Sequence, residues 1–330
     1  MRAVVVIPTL NACNLLAETV ASLEAQTVSV GIVVVDNGSA DGTLEMLGTR
    51  FPQVTVVRNV DNLGFGRAVN RGVASAPDAE VLILVNNDAV CAPDFAQRML
   101  EPFADPEVGL VAGVLLQGSA PELVDSAGIE LDVTLRSWDV LWNRPARLVD
   151  GAPDPVGPCG GAAAYLAKPF RELSGFDETL FAYWEDVDLA LRFRLAGWRC
   201  VPAPRARALH RHGATLGAAS PAQRRLEAFG RGYVLAKYLV GAGRPITRLQ
   251  VAALDFPVLI VHLVLRRELG PIRERLRGRR AGLAQPPLRA PLELATVTFR
   301  EALRRQARVL LMRFTRRLPA HFNEHESPLG

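Results

Sequence analysis

The sequence predicts an α/β protein built on a mainly parallel, twisted sheet with helices on both faces. Short apolar runs alternate with stretches of helical spacing through about the first 110 residues, and this alternation is typical of parallel sheets wrapped by helices. The chain has 330 residues, of which 49% are hydrophobic, so it can bury a large core. Polar clusters directly follow two of the apolar runs, at the edge where such sheets bind ligands.

The elements of this first region follow from two periodicities. The runs assigned as strands are short and rich in valine, whereas the helical stretches place apolar residues three and four positions apart. In chain order they are a strand at Val4–Ile7, a helix at Asn14–Gln26, a strand at Gly31–Val35, a helix from Asp41 to Leu47, a strand at Val54–Val57, a helix at residues 66–75 and a strand at Val81–Val85. One domain is predicted over residues 1–220, with a first half at 1–108 and a less regular half at 109–220.

The remaining residues, 221–330, are predicted to form a helical, basic C-terminal extension. Residues 221–240 have helical spacing, Gln285–Pro287 is interpreted as a linker, and residues 292–318 resemble an amphipathic helix. The apolar run Val251–Leu265 is shorter than the roughly 20 residues that a membrane-spanning helix needs.

Charge is distributed unevenly between the two regions. Residues 1–265 have a formal balance of −5, whereas residues 266–317 carry 15 Arg and 4 Glu, a balance of +11. Such a segment favours an anionic surface, which is either a phospholipid layer or a nucleic acid. No basic face interleaved with aromatic residues supports nucleic acid. We therefore expect membrane contact through residues 251–317, with a packing helix or a homodimer interface as the alternatives.

Two features bear on the cellular compartment. The four cysteines are scattered and form no C-x-x-C pair, which fits a reducing compartment better than a disulfide framework. The N-terminal apolar run is broken at Pro8 and is too short for a signal peptide. The expectation is a cytoplasmic protein, peripheral on the inner face of the membrane.

Asp36 and the segment after Asn62 are candidates for nucleotide binding. Asp36 follows a strand, so its carboxylate can accept hydrogen bonds from a base or a ribose; alternatively, it caps the next helix together with Ser39. Gly64 precedes a helix and can bring the backbone close to a nucleotide with Arg67 near phosphate, or it can serve helix packing alone.

Asn86, Asn87 and Asp88 end a strand, and His210 lies far along the chain. Mg²⁺ and Mn²⁺ are usually held by one or two carboxylates together with substrate phosphates, and neutral imidazole is a common metal ligand. Asp88 and His210 are therefore candidate metal ligands. The alternatives are an ordinary Asx turn and a surface histidine.

The segment from Tyr183 to Asp188 places three carboxylates in four positions beside aromatic residues. One carboxylate with a raised pKa in such surroundings suits a general base. The alternative is structural: Asp188 pairs with Arg192 four residues later, on a helix that Glu185 and Asp186 cap. The two interpretations are compatible, because the Asp188–Arg192 pair can support Asp186.

The order of these segments resembles the family 2 inverting glycosyltransferases, which have the GT-A fold, and within them the rhamnosyltransferase-like group. The resemblance covers about residues 3–215. The series is Ile7–Asn11, Val35–Thr43, Asn62–Asn70, Asn86–Asp88, Gly160–Ala162, Gly175–Glu178 and Trp184–Leu189.

The resemblance implies roles for individual residues. Asp186 is expected to be the catalytic base with Glu185 beside it, and Asp88 is expected to bind Mg²⁺ or Mn²⁺ with His210 nearby. The donor-binding residues implied are Pro8, Asp36, Asn37, Asn62, Gly64, Arg67, Asn70 and Asn87, and those on the acceptor side are Gly160, Gly161 and Trp184. Asn86 stands where many relatives carry an aspartate, which leaves fewer carboxylates for the metal.

The activity implied is inverting transfer of a sugar from a nucleoside-diphosphate sugar of the dTDP or UDP type. Rhamnose from dTDP-rhamnose is the leading expectation, and the acceptor is a glycan or a lipid-linked, cell-surface glycan precursor. Asp186 takes the proton of the acceptor hydroxyl as that oxygen attacks the anomeric carbon, and the metal stabilises the departing diphosphate.

Two other functions remain open. A sugar-nucleotide nucleotidyltransferase also uses an α/β sheet, but it would be expected to carry a glycine-rich loop near the N-terminus, and residues 8–16 contain no glycine. A non-catalytic nucleotide-sugar-binding protein is the second alternative. The presence of Asp36, Asp88 and Asp186 together argues against it.

Overall fold

The computed structural model describes residues 1–211 and 220–315. The strands are β1 (Ala3–Thr9), β2 (Gly31–Asp36), β3 (Thr55–Arg58), β4 (Val81–Val85), β5 (Ala89–Cys91), β6 (Val108–Gln117), β7 (Ala120–Ser126), β8 (Ile129–Leu131), β9 (Ser137–Asp139), β10 (Ala162–Leu166) and β11 (Arg199–His210). The α-helices are α1 (Cys13–Glu24), α2 (Thr43–Arg50), α3 (Phe65–Ala74), α4 (Phe95–Leu100), α5 (Ala167–Glu172), α6 (Glu185–Leu195), α7 (Pro221–Lys237), α8 (Pro245–Ile260), α9 (Gly270–Leu283) and α10 (Phe299–Thr315).

The central sheet confirms the predicted fold class. Its strand order is β3-β2-β1-β4-β10-β6-β11-β5, and β7 pairs with β6 at the side. The first four strands are parallel to one another. Strand β10 is antiparallel to both of its neighbours, and β11 is parallel to β6. The sheet is therefore mixed but mainly parallel, and the carboxyl ends of β1, β2 and β4 share one edge.

Apolar layers cover both faces of the sheet. On one face, Leu16, Val20 and Leu23 of α1 pack against alternate residues of β1 and β4. On the other face, Val69 and Val73 of α3 pack against the intervening strand residues. Because both faces are buried, the strands read as continuous apolar runs, which is the pattern that predicted them.

The helical extension packs through its glycines. Helices α7 and α9 approach so closely that a Cβ atom on Gly232 would overlap the carbonyl oxygen of Arg275, and one on Gly278 would overlap that of Phe229. A Cβ atom on Gly282 would likewise overlap the carbonyl oxygen of Tyr233. Small residues four positions apart on α9 therefore allow backbone contact between the two helices.

Two predicted boundaries in this extension are wrong. The apolar helix begins at Pro245, not near Val251, and a π-helical turn at Val261–Leu265 extends it to 21 residues. Proline at the first helical position explains the earlier start, because it needs no backbone donor there. By length and composition this is the one helix in the described residues that could cross a membrane.

The second wrong boundary concerns the amphipathic helix predicted at 292–318. A short 3₁₀ turn at Leu292–Leu294 comes first, and α10 begins only at Phe299. Residues 316–318 lie outside the described residues.

The predicted boundary at 220/221 coincides with the start of α7, where the Ser220 side chain accepts a hydrogen bond from the amide of Gln223 (3.1 Å). The division of residues 1–220 into halves at 1–108 and 109–220 stays a prediction.

Candidate active site

A cavity of about 770 Å³ opens at the carboxyl ends of β1, β2 and β4. Two walls enclose it. The sheet wall is formed by strand ends and by the loop before α6. The second wall, which we call the helical wall, is formed by residues of α7 to α10 and by residues between Asp125 and Trp142. Of the residues predicted to form the site, those lining the cavity are Pro8, Asn37, Asn62, Gly64, Asn87, Asp88, Gly160, Gly161, Trp184, Glu185, Asp186 and His210.

Amide side chains hold the polar rim of the sheet wall in place. Asn37 accepts a hydrogen bond from Asn59 (2.7 Å), and its own side-chain amide donates to the carbonyl oxygen of Gly64 (3.4 Å). The Asn87 amide donates to the Thr9 hydroxyl at 2.9 Å. These bonds join the end of β4 to that of β1, and the end of β2 to the loop after β3 and the start of α3, so the polar rim of the cavity is fixed by the elements that carry it.

Gly64 has a packing role at this rim. It has φ +85°, and a Cβ atom there would overlap the carbonyl oxygen of Phe181. That same oxygen accepts a hydrogen bond from the amide of Phe65 at 2.7 Å. Only glycine fits both the backbone conformation and the space, so Gly64 joins the start of α3 to the loop that precedes α6.

Three predicted donor-binding residues do not line the cavity. Asp36 is fully buried, and its carboxylate accepts the amide of Ser39 at 3.1 Å. Arg67 forms an ion pair with Glu178 (2.9 Å) on the surface. Asn70 hydrogen-bonds to the backbone of Phe176 through both its amide nitrogen and its oxygen (2.9 Å each). The alternative given for Asp36 is wrong, because α2 begins at Thr43 and its N-cap Gly42 has no side-chain cap hydrogen bond. A donor role for the three residues stays a prediction.

The candidate metal ligands lie together, although far apart in the sequence. Strand β11 pairs with β5 so that His210 lies opposite Ala89, next to Asp88. The Nε2 atom of His210 is 3.1 Å from Oδ1 of Asp88, and its Nδ1 atom is 2.7 Å from Oδ2 of Asp125. Burial lowers the pKa of His210, but the hydrogen bonds and charges of the two aspartates outweigh it and raise this pKa to about 9.

These residues fit a divalent cation in part. Two adjacent ligands about 2.1 Å from one octahedral ion are roughly 3 Å apart, which is the observed spacing between His210 and Asp88. Asp125 would orient the imidazole from its other side, as carboxylates commonly do for histidine ligands. Within residues 1–211 and 220–315, no group of three or more His, Cys, Asp or Glu side chains could hold a metal. Further ligands would therefore come from a substrate diphosphate.

The candidate base lies at the start of α6. Glu185 is buried, and no residue in the described part of the chain hydrogen-bonds its Oε2 atom. Asp186 is half-buried, and its carboxylate accepts the amides of Val187 (2.8 Å) and Gly160 (3.3 Å). Burial raises the pKa of both carboxyl groups, and the charge of Asp186 raises that of Glu185 further. The pair thus gains affinity for a proton inside a cavity.

The backbone before this helix is strained. Tyr183 and Trp184 have φ values of +67° and +75°, a region that bulky residues rarely adopt. Helix α7 holds them there: a Cβ atom on Gly230 would overlap the indole of Trp184, and the Arg231 guanidinium lies 5.6 Å from the centre of that ring. The helical extension therefore supports the loop that carries Asp186.

The structural alternative for Asp188 is confirmed. It pairs with Arg192 at 2.8 Å and with Lys237 at 2.6 Å, and it accepts the hydroxyl of Tyr238 at 3.0 Å. Asp188 is fully buried, so it anchors α7 behind the candidate base and does not contribute to the cavity.

Sequence reasoning missed the helical wall almost entirely. Asp125, Arg136, Arg231, Arg275 and Trp138 all line the cavity, and none lies in a local motif. The indole of Trp138 donates a hydrogen bond to Asp132 at 3.3 Å, and the guanidinium groups of Arg136 and Arg305 lie 5.9 and 5.8 Å from the centre of its ring. The only signal in the sequence was composition, and it covered Arg275 alone, which belongs to the basic region at 266–317.

The comparison with protein families identifies the chain. Residues 4–174, about half of the sequence, match the model described as glycosyl transferase family 2. The chain belongs to this glycosyltransferase family. Membership favours the transferase over the nucleotidyltransferase that the sequence left open.

Relatives with curated names are similar over part of their length. An N-acetylglucosaminyl-diphospho-decaprenol L-rhamnosyltransferase from Mycobacterium tuberculosis is 31% identical over 207 residues, which cover 55% of this chain and 66% of that protein. An O-antigen chain rhamnosyltransferase from Salmonella typhimurium is 28% identical over 220 residues, 65% of this chain and 68% of that protein. The glycosyltransferase is thus similar to the rhamnosyltransferase-like group, as its motifs predicted.

Solved structures support the GT-A fold. A mannosyltransferase from Pyrobaculum calidifontis, solved with GDP-Man and Mn²⁺, has a TM-score of 0.55 at 19% identity and covers 95% of this chain and 86% of its own. GalNAc-T7, solved with UDP, GalNAc and Mn²⁺, has a TM-score of 0.57 at 18% identity, covering 74% of this chain and 51% of its own. At these identities the likeness concerns the fold.

Proposed function

We propose that this glycosyltransferase moves a hexosyl group from a nucleoside-diphosphate sugar to a hydroxyl of a lipid-linked glycan precursor for the cell wall or a surface polysaccharide. Rhamnose from dTDP-rhamnose is the leading candidate. The rhamnosyltransferase activities for which the mycobacterial and Salmonella relatives are named support this choice. The single observation that carries the proposal is the placement of Asp186 and Asp88 in one cavity.

The reaction is one displacement with inversion. The acceptor hydroxyl gives its proton to Asp186, its oxygen bonds to the anomeric carbon, and the bond from that carbon to the diphosphate oxygen breaks. A raised pKa suits Asp186 for this task, because a carboxylate with stronger proton affinity is a better base at neutral pH. Gly160 and Val187 hold its oxygens through backbone amides, which fixes the direction of the carboxylate.

Asp88 and His210 are the residues proposed to hold Mg²⁺ or Mn²⁺. When bound, the ion would neutralise charge on the departing diphosphate. Asp125 keeps the imidazole oriented toward Asp88. Asn86 lies 3.1 Å from the His210 ring through its amide nitrogen, so it supports the histidine at the position where relatives carry another carboxylate.

The test of the proposed base is Asp186→Asn. It keeps the shape and removes the proton acceptor, so transfer is expected to fall by about 10³-fold, within the range for general-base catalysis. Donor binding, measured by calorimetry with UDP and dTDP sugars, should persist. The matched control is Asp78→Asn, since Asp78 is an exposed surface acid paired with Arg2. Near-normal turnover of Asp186→Asn would exclude Asp186 as the base, and Glu185→Gln would then be examined.

We further propose that α8 lies on an anionic membrane beside the cavity. One face of this helix and its π turn exposes large apolar side chains, which are Ile246, Leu249, Phe256, Ile260, Leu263 and Val264. Exposed Arg244, Arg248 and Arg267 flank that face, an arrangement that suits an interfacial helix. The opposite side of α8 lines the cavity through Val258 and Leu259. A lipid-linked acceptor would then reach the base from the membrane surface.

Vesicle co-sedimentation tests this surface with the full chain. The double variant Phe256→Ser, Leu263→Ser should lose most of its binding to vesicles of phosphatidylcholine and phosphatidylglycerol. Val60→Ser is the control, because Val60 is 91% exposed in a loop away from α8. Equal sedimentation of all three proteins would overturn the membrane surface. Loss of a dimer in the double variant, with vesicle binding unchanged, would assign the face to a second copy of the chain.

A further inference from the structure

Three arginines from separate elements converge on one buried carboxylate in the helical wall. Arg136 precedes β9, Arg231 lies on α7 and Arg275 lies on α9. They contact Asp255 of α8 at 3.1, 3.4 and 2.5 Å. All three arginines line the cavity that holds Asp186. We call this group the arginine cluster.

The arginine cluster carries more positive than negative charge. Asp255 is 4% exposed, and the side chains of Arg136, Arg231 and Arg275 are only 16, 3 and 19% exposed. Asp132 is a second buried carboxylate close to Arg136, and it leaves one cation in excess. An uncompensated charge in a buried site is costly. An anionic ligand would remove this cost.

Two of the arginines keep donors that face the cavity. Within residues 1–211 and 220–315, Asp255 is the only carboxylate within 4 Å of Arg136 or Arg275, and each reaches it through a single Nη2 atom. Their remaining guanidinium N–H groups have no protein acceptor among those residues and are not sealed from the cavity. Arg231 differs, because it also donates to Thr134. Arg231 therefore anchors the cluster, whereas Arg136 and Arg275 can bind a ligand.

The chemistry of the ligand follows from this geometry. Guanidinium groups bind phosphate oxygens through paired N–H donors, and several of them together favour a phosphate or diphosphate over a single carboxylate. The cluster belongs to the helical wall, while Asp88 belongs to the sheet wall. The guanidinium of Arg231 rests on Trp184, two residues before Asp186. The anion would therefore lie on the acceptor side of the base.

We propose that Arg136 and Arg275, held in place by Arg231 and Asp255, bind a phosphate or diphosphate group carried by the acceptor. This proposal rests on the proposed function, because it assigns the acceptor to that reaction. The site is separate from the one for the donor diphosphate. Val258 and Leu259 of α8 provide apolar wall in the same cavity, which suits the start of a lipid chain attached to such a group.

The first experiment measures binding and needs no catalysis. Inorganic diphosphate is titrated into the full-length protein in EDTA by calorimetry, with and without excess dTDP. Wild type should bind diphosphate in both conditions, and Arg136→Gln should weaken binding by at least about tenfold, the loss expected for a charge-assisted hydrogen bond. Arg275→Lys keeps the charge but loses the planar fork, and it should weaken binding to a smaller degree. Arg98→Gln, on the surface, is the control.

The outcomes separate this proposal from the proposed function. Equal diphosphate binding by wild type and both cluster variants would overturn the site, even if transfer is normal. Displacement by dTDP would also overturn it, because the anion would then belong to the donor. If diphosphate binds as expected but no transfer occurs, the proposed function fails and the anion site stands.

A second experiment distinguishes the acceptor from a membrane headgroup. Arg136→Gln should raise KM for a phosphate-bearing acceptor by about tenfold and leave KM for a neutral alkyl glycoside and for the donor unchanged. Equal increases for both acceptors would overturn the proposal. Loss of vesicle binding with unchanged KM would assign the cluster to lipid headgroups and overturn it as well.

Discussion

The sheet wall and the helical wall of the cavity differ in how the chain brings their residues together. On the sheet wall, Thr9 ends β1 and Asn87 lies just after the neighbouring strand β4, so the strand order alone makes them adjacent. On the helical wall, Arg136 and Arg275 are 139 positions apart in the numbering and meet only at Asp255. The comparison indicates that parallel topology fixes the sheet wall, whereas side-chain packing fixes the helical wall.

The largest effect expected in this comparison concerns the sheet wall. Asp88→Ala and His210→Ala remove the two candidate ligands of the cation that would stabilise the leaving diphosphate. Transfer is expected to fall by at least about 100-fold, as for loss of metal-supporting residues. Initial rates across a Mn²⁺ titration would measure it, with Asp61→Ala as an exposed control. Rates that stay normal in these variants and in EDTA would rule out the metal assignment.

The next effect tests the packing of the helical wall. Gly278→Ala places a methyl group against the carbonyl oxygen of Phe229, where α7 and α9 have no room for it. Because the backbone of α7 or α9 must shift to make room, the free energy of unfolding should fall by about 3 kcal/mol. Urea denaturation measures the change. A loss under about 1 kcal/mol would mean that the two helices separate easily and that their close approach does not fix the arginine cluster.

Much of the sheet wall could be predicted from sequence, because its information is local. A valine-rich run and the polar residues after it place Asn87 and Asp88 at a strand end, whatever the rest of the chain does. The order of the motifs then identified the family. Local pattern did not decide the role of Asp36. It ends β2 and its carboxylate accepts the amide of Ser39, while its role toward a donor stays a prediction.

The helical wall could not be predicted in the same way. Nothing in the local sequence around Arg136 or Arg275 indicates that both contact Asp255, because that contact depends on how α7, α8 and α9 cross. Gly232 on α7 and Gly278 on α9 allow these two helices to approach closely. In the sequence, a glycine inside a helix indicates only a loss of helix stability. A charge count detected the excess of arginine at 266–317, which includes Arg275 but not Arg136, and it assigned that excess to a surface and not to a cavity.

A smaller effect tests Asp177, which joins the loop before α6 to α7. Burial raises the pKa of Asp177, but its hydrogen bonds to Lys237 and Tyr233 of α7 outweigh this and lower that pKa to about 2 from 3.8. Because the folded-state pKa lies below the unfolded value, this stabilisation is present above pH 3.8 and is lost as the pH falls through about 2.

Asp177→Asn should therefore lower the free energy of unfolding by about 2 kcal/mol at pH 6. The difference from wild type should shrink toward pH 2. Urea midpoints of the two proteins, measured at intervals between pH 6 and pH 2, give the comparison. Parallel curves would show that Asp177 does not join α7 to the loop before α6 through its charge.

The smallest expected effect is a gain in the free energy of unfolding, and it serves as a reference for the glycines of the helical wall. Gly48 lies within α2, exposed, and a Cβ atom there meets nothing within 4 Å. Gly48→Ala should raise the free energy of unfolding by about 0.5–1 kcal/mol, because alanine loses less backbone entropy in a helix. Gly278→Ala is the same chemical change inside α9, so the two variants share any intrinsic helix preference and differ only in the space available. If both variants raise the free energy of unfolding, the contact between α7 and α9 is looser than in the structure. If Gly48→Ala raises it and Gly278→Ala lowers it, the close packing of the helical wall depends on its glycines.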